Sequence, residues 1–157
     1  MKKIVIGSDH AGFEMKEEIK KHLEERGFEV TDVGTDSAAS CHYPVFANRL
    51  CRLIQDGKAP MGILVCGTGI GMSMAANKEK GIRAACCGDT FSARLTREHN
   101  DANVLCMGAR VLDDAKIAAI TDTFLANEPL DEERHRRRLR MISELEDGTF
   151  DEHGYKL

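Results

Sequence analysis

Five short apolar runs alternate with segments of helical periodicity along the chain, and that alternation narrows the folds open to it. Residues 3–8, 28–33, 61–65, 82–86 and 104–107 read as strands, each short and apolar between turn signals. Residues 11–26 carry Met15, Ile19 and Leu23 at helical spacing among charges, and Gly27 stops them. Further helices are expected over 44–55, from 71 onward, and over 89–97, 113–125 and 131–146. Strands separated by helices predict an α/β chain: a doubly wound five-stranded parallel sheet with helices on both faces, a Rossmann-like three-layer sandwich. Such sheets bind ligands beyond the carboxyl ends of their strands. The loops to examine are therefore 9–12, 34–43, 66–71, 88–89 and 108–110. Residues 1–147 read as one domain. Residues 148–157 form a polar tail, either flexible or a docking extension.

One strand–helix unit carries more than packing. Ile63-Leu64-Val65 runs into Cys66, then into a loop with Gly67, Thr68, Gly69 and Gly71, then into a helical pattern. A helix N-terminus offers unpaired N–H groups and a favourable field for anions. The same field enriches the reactive thiolate of a nearby cysteine. The segment thus combines a candidate base with a candidate cradle for a small oxyanion. It is not GxGxxG, because position 72 is Met, and no Gly-Lys-Ser/Thr makes it a P-loop. A dinucleotide loop stays open as an alternative because Asp89 lies roughly where a ribose-binding acid would sit. A plain tight turn is the third reading.

Composition removes several classes. The chain has 157 residues, 42% hydrophobic and 31% charged, with a formal net charge of −4. That describes a globular protein with no general pull toward nucleic acid or anionic membrane. No apolar run approaches the ~20 residues that span a bilayer. Lys2-Lys3 and the apolar run behind it meet Asp9-His10, unlike a signal peptide. The six cysteines, at 41, 51, 66, 86, 87 and 106, form no CxxC pair and no zinc pattern. All but Cys66 are expected to be small buried hydrophobes, reduced in a cytoplasmic protein.

Histidines and arginines supply the remaining candidates. Asp9-His10 follows the first strand directly. His99-Asn100-Asp101 follows the fourth helix; a histidine there suits acid–base work and an asparagine can donate to an oxyanion. On the last helix Arg136, Arg137 and Arg140 have acids at helical spacing, at Glu132, Glu133 and Glu144, and read as surface pairs. Arg134 and Arg138 face each other at i,i+4; only Asp131 could relieve Arg134, and Arg138 has no acid at i±3 or i±4. Two like charges on one face suit a dianion, and guanidinium suits phosphate. Nucleic acid would also like this helix, but the acidic chain and the lack of nearby aromatics argue against it.

Taken in order, IGSDHAG (6–12), HYP (42–44), CGTGIGMSMAANK (66–78), GIRA (81–84), REHNDANVL (97–105), GARV (108–111) and RHRRR (134–138) resemble the type B ribose-5-phosphate isomerase family, which includes galactose-6-phosphate isomerase subunits. The resemblance implies reversible aldose–ketose isomerisation of a phosphorylated sugar, without metal or other cofactor. It implies Cys66 as the base working through a cis-enediolate, and the backbone of Gly67 to Gly71 with Thr68 around the enediolate oxygens. It implies His99 assisting ring opening, Asn100 at the intermediate, and Asp9 and His10 on the sugar or its phosphate. Arg110, Arg134 and Arg138 match phosphate positions, with Tyr43 and His135 nearby. It further implies a homodimer or homotetramer whose active sites share residues of two subunits.

Ribose 5-phosphate to ribulose 5-phosphate is the expected reaction. Three departures bear on it. His42 stands where Asp commonly precedes Tyr-Pro, as in the galactose-6-phosphate relatives; Glu132-Glu133 replaces Gly-Gly before Arg134; and the tail is long. Galactose 6-phosphate and allose 6-phosphate are the alternative substrates, and a sugar-phosphate-binding sensor is the alternative that is not an enzyme.

Overall fold

The computed structural model describes residues 2–156. One parallel sheet holds β1 (Lys2–Ser8), β2 (Phe28–Asp32), β3 (Gly62–Cys66), β4 (Ala84–Cys86) and β5 (Val104–Gly108) in the order β2-β1-β3-β5-β4. The helices are α1 (Phe13–Glu25), α2 (Tyr43–Gln55), α3 (Ile70–Ala76), α4 (Thr90–Asn100), α5 (Asp114–Ala126) and α6 (Glu133–Asp147). The predicted doubly wound sheet is the observed one.

Side chains alternate across a strand, so each central strand feeds both cores. Ile4, Ile6, Ile63, Val65, Leu105 and Met107 join Ile19 and Leu23 of α1 and Ile117, Ile120 and Phe124 of α5. Val5, Leu64, Cys66, Val104 and Cys106 face the other way, onto Phe46, Ala47 and Leu50 of α2 and Met72 and Ala76 of α3. That parity settles which layer Cys66 faces: α2 and α3.

Several boundaries move for local reasons. The helix expected from residue 11 starts at Phe13, because Gly12 N–H is taken by the Asp9 backbone carbonyl and Oδ1 in a turn. The fourth strand shrinks to Ala84–Cys86. α4 runs on through His99 and Asn100, which the sequence placed beyond it, and ends where Asp101 turns left-handed at φ 43°. Residues 148–156 turn back onto the end of α6. Gly148 closes α6, Tyr155 donates from its hydroxyl to Glu144 Oε1 at 2.6 Å, and its ring stacks on Phe150.

Among the described residues no helix is long and apolar enough to cross a membrane. Lys16 is buried in α1 and held by Asp32 at 2.6 Å and Glu17 at 2.8 Å. A buried ammonium without carboxylate partners would cost several kcal/mol, so this pair fixes α1 against the end of β2.

Candidate active site

β3 ends at Cys66, only 5% exposed, and its Sγ accepts the Gly69 N–H at 3.1 Å. The loop can curl back this tightly because Gly69 sits at φ +80°. A Cβ there would also meet the Met107 carbonyl carbon at 2.9 Å. Gly108 makes room beneath the loop: its own Cβ would lie 2.6 Å from Thr68 backbone. Ile70 N–H donates to Thr68 Oγ1 at 3.3 Å. Among the described residues the N–H groups of Gly67, Thr68 and Gly71 have no acceptor, which leaves three free donors in the loop that follows Cys66. α3 is a seven-residue helix, so these individual N–H groups outweigh the macrodipole the sequence suggested.

Neighbouring loops close on this turn. Arg110, just past β5, lies over Gly67, whose Cβ would meet its Nη1 at 3.3 Å. The Tyr43 ring, at the start of α2, covers Gly71 in the same way at 2.8 Å. Asp9 is buried, and its Oδ1 is used on Gly12 N–H. His10 Nδ1 accepts the Cys41 N–H at 3.3 Å, so a neutral ring carries its hydrogen on Nε2. Cys66, Thr68, Gly67, Gly69, Gly71, Asp9, His10, Tyr43 and Arg110 thus gather at one edge of the sheet.

The other candidates gather elsewhere. His99 stacks on His135 of α6, ring centroids 4.4 Å apart. Arg134 and Arg138 share that part of α6. His135 is 4% exposed and its Nε2 has no hydrogen-bond partner. Burial lowers its pKa, helped by His99, Arg134 and Arg138, while Glu132 opposes. Arg134 Nε pairs with Glu132 at 2.7 Å, whereas Arg138 has no ion pair among the described residues. The expected pairing on this helix needs correction. Arg136 takes Asp131 and Glu133 instead of Glu132, and Arg140 reaches Glu133 instead of Glu144.

Strand polarity separates the two groups. α4 leaves the carboxyl edge of the sheet and returns the chain to the amino edge, where Val104 pairs with Gly62 and Asn103 accepts the Gly62 N–H at 2.9 Å. Cys66 closes the far end of the same strand, about 13 Å away at ~3.3 Å per residue. His99, Asn100, Arg134 and Arg138 therefore lie at the edge opposite Cys66 in one chain.

Residues 4–142 match the family model described as Ribose/Galactose Isomerase. The chain belongs to the ribose/galactose isomerase family. Ribose-5-phosphate isomerase B of Escherichia coli K12 is 45% identical over 146 residues, covering 93% of this chain and 97% of that one. D-erythrulose-4-phosphate isomerase of Pectobacterium atrosepticum is 47% identical over 113 residues, 71% of this chain and 74% of that one. The Clostridium thermocellum ribose-5-phosphate isomerase B structure superposes with a TM-score of 0.91 at 44% identity, covering 94% and 99% of the two chains.

Against this family frame, sequence reasoning missed three residues. Arg97 is 5% exposed and holds the end of α4 through Asp101 Oδ1 at 2.8 Å and the Ala102 carbonyl at 2.7 Å. Its i,i+4 spacing to Asp101 was the available signal. Cys41 and Cys86 were expected to be buried; Cys41 is half-buried beside His10 and Cys86 is exposed beside Thr68. Asp89, the candidate ribose acid, instead caps α4 by accepting the Ser92 N–H at 2.6 Å. Among the described residues no three of His, Cys, Asp and Glu stand close enough to hold a metal ion.

Proposed function

We propose that the chain interconverts ribose 5-phosphate and ribulose 5-phosphate, an aldose–ketose isomerisation of pentose phosphate metabolism. The observation that carries this reading is the Cys66 sulfur, buried at 5% exposure, holding the Gly69 N–H and followed by a loop whose Gly67, Thr68 and Gly71 N–H groups have no acceptor among the described residues. Proton abstraction beside a carbonyl needs a base and donors for the oxygen that becomes negative. In the reading, the Cys66 thiolate takes the proton from C2 of the open-chain aldose. The resulting cis-enediolate rests on the N–H groups of Gly67, Thr68 and Gly71 with the Thr68 hydroxyl. The thiol returns the proton to C1, while the proton on O2 moves to O1.

His99 opens the sugar ring, Asn100 contacts the intermediate, Asp9 and His10 contact the sugar, and Tyr43 borders it. Arg110, Arg134 and Arg138 hold the phosphate dianion, for which guanidinium is suited. The opposite edges occupied by Cys66 and His99 support a site completed by a second copy, hence a homodimer or a pair of dimers in the cytoplasm. Exposed Ile70 and Met74 on α3, beside the Cys66 loop, offer apolar surface for that copy.

The test is turnover of ribose 5-phosphate beside allose 6-phosphate and galactose 6-phosphate, with EDTA present. Preference for ribose 5-phosphate is expected, and Cys66→Ala should lose about 100- to 10,000-fold in kcat. Full activity of Cys66→Ala would remove the assigned base. Thermal stabilisation by the sugar phosphate without turnover would make the protein a sensor.

A further inference from the structure

The peptide group between Thr68 and Gly69 is gripped by a thiol at each end. Its N–H, on Gly69, donates to Cys66 Sγ at 3.1 Å. Its C=O, on Thr68, accepts from Cys86 Sγ at 3.5 Å. The two sulfurs come from different strands: Cys66 closes β3 and Cys86 closes β4, two positions across the sheet. We propose that Cys86 is a positioning residue for the isomerisation, its S–H holding and polarising the Thr68–Gly69 peptide so that the Gly69 N–H stays aimed at the Cys66 sulfur. The inference rests on the reading of Cys66 as the base.

Packing leaves the loop dependent on that grip. A Cβ at Gly69 would stand 3.0 Å from Cys86 Sγ on one side and 2.9 Å from the Met107 carbonyl carbon on the other. The loop is wedged between the Cys86 side chain and the end of β5, with Gly108 directly beneath Thr68. An amide whose carbonyl accepts a hydrogen bond is a stronger N–H donor, because bonds in a chain polarise one another. Such polarisation favours negative charge on the Cys66 sulfur.

Protonation runs in the same direction. The Cys86 sulfur lies against the loop, and that burial, with the charge of Cys66, raises its pKa. Both effects favour the protonated form of Cys86, and a proton is what the Thr68 carbonyl requires. Its neighbour Cys87 has no such role. Cys87 belongs to the core on the other face of the sheet, and burial pushes its pKa up to about 11.

Three forms decide the matter: Cys86→Ala, which lacks the donor; Cys86→Ser, which keeps one; and wild type. Each is assayed with ribose 5-phosphate at pH 7 and alkylated with iodoacetamide, with Cys66 labelling followed by mass spectrometry. An S–H donor is weak, so the expected loss in Cys86→Ala is about three- to five-fold in kcat with KM unchanged, and a similar slowing at Cys66. Cys86→Ser restores both. Wild-type behaviour of Cys86→Ala, or equal defects in Ala and Ser, overturns the proposal. Melting temperatures close to wild type for both variants separate the effect from misfolding. Undiminished activity of Cys66→Ala would instead sink the underlying assignment of the base.

Discussion

His99 and His135 lie nearly parallel, 11° between ring planes and 4.4 Å between centroids, one at the end of α4 and the other at the start of α6. His135 contributes a buried ring to this stack, its Nε2 has no hydrogen bond and stands 3.9 Å from Glu132, and burial lowers its pKa. The folded state therefore binds the His135 proton more weakly than the unfolded chain, whose histidines titrate near 6.5. Between the lowered value and about 6.5 the unfolded chain holds more protons, so stability rises with pH across that window. Thermal melts from pH 5.5 to 7.5 should show Tm climbing with pH. The slope should flatten in His135→Asn, and an unchanged slope would acquit the ring.

Gly108 and Gly71 should respond differently to alanine. At Gly108 the new methyl meets Thr68 backbone at 2.6 Å and must push the Cys66 loop. A displacement of about 1 Å can cost roughly 100-fold in rate, so Gly108→Ala is expected to lose at least that in kcat. At Gly71 the obstacle is the Tyr43 ring, a side chain able to swing away. Gly71→Ala should keep most of its kcat and show its defect mainly in KM. Steady-state kinetics on both variants make the comparison.

Arg97 should be a stability residue. It bonds Asp101 and the Ala102 and Asn127 carbonyls while its guanidinium lies over the Phe124 ring. Arg97→Met leaves the buried Ala102 carbonyl without this donor, whereas Asp101 keeps Arg83, so the expected cost is about 1–3 kcal/mol. Urea unfolding of the variant should show a midpoint lowered accordingly; a midpoint within error of wild type would place the anchor elsewhere.

Arg138 and Arg136 sit two residues apart on α6 with opposite expectations. Arg136 is occupied by Asp131 and Glu133, and Arg138 has no ion pair among the described residues. Arg138→Ala should raise KM for ribose 5-phosphate about ten-fold or more, since a hydrogen bond to a charged group is worth about 1.5–3 kcal/mol and each 1.4 kcal/mol is ten-fold. Arg136→Ala should leave KM within about two-fold. Equal effects would mean that the phosphate does not discriminate between the two arginines.

The fold was largely legible because each strand is a short apolar run and each helix announces itself by spacing. Ile63-Leu64-Val65 and Met15, Ile19, Leu23 are clear cases. The geometry of the candidate site was legible where it is local in sequence: Cys66, Gly67, Gly69 and Gly71 fall within six residues. It was not legible where tertiary contacts decide. Nothing in the sequence tells that Cys86 reaches Thr68 while Cys87 is buried, since adjacent residues of a strand point to opposite faces. Nor does spacing alone show Glu133 drawing Arg136, Arg137 and Arg140 together, which leaves Glu132 to Arg134. The placement of His99 follows from strand direction together with the run of α4 through Asn100, which the spacing did not show.

That placement has a genetic signature. In the proposed shared site, a chain with Cys66→Ala and a chain with His99→Ala would each lose one half, and each alone should be strongly impaired as a symmetric assembly. Mixed assemblies of the two carry both lesions in one site and neither in the other. Co-expression of two impaired alleles should therefore revive turnover, to at most about half the wild-type rate per mixed pair.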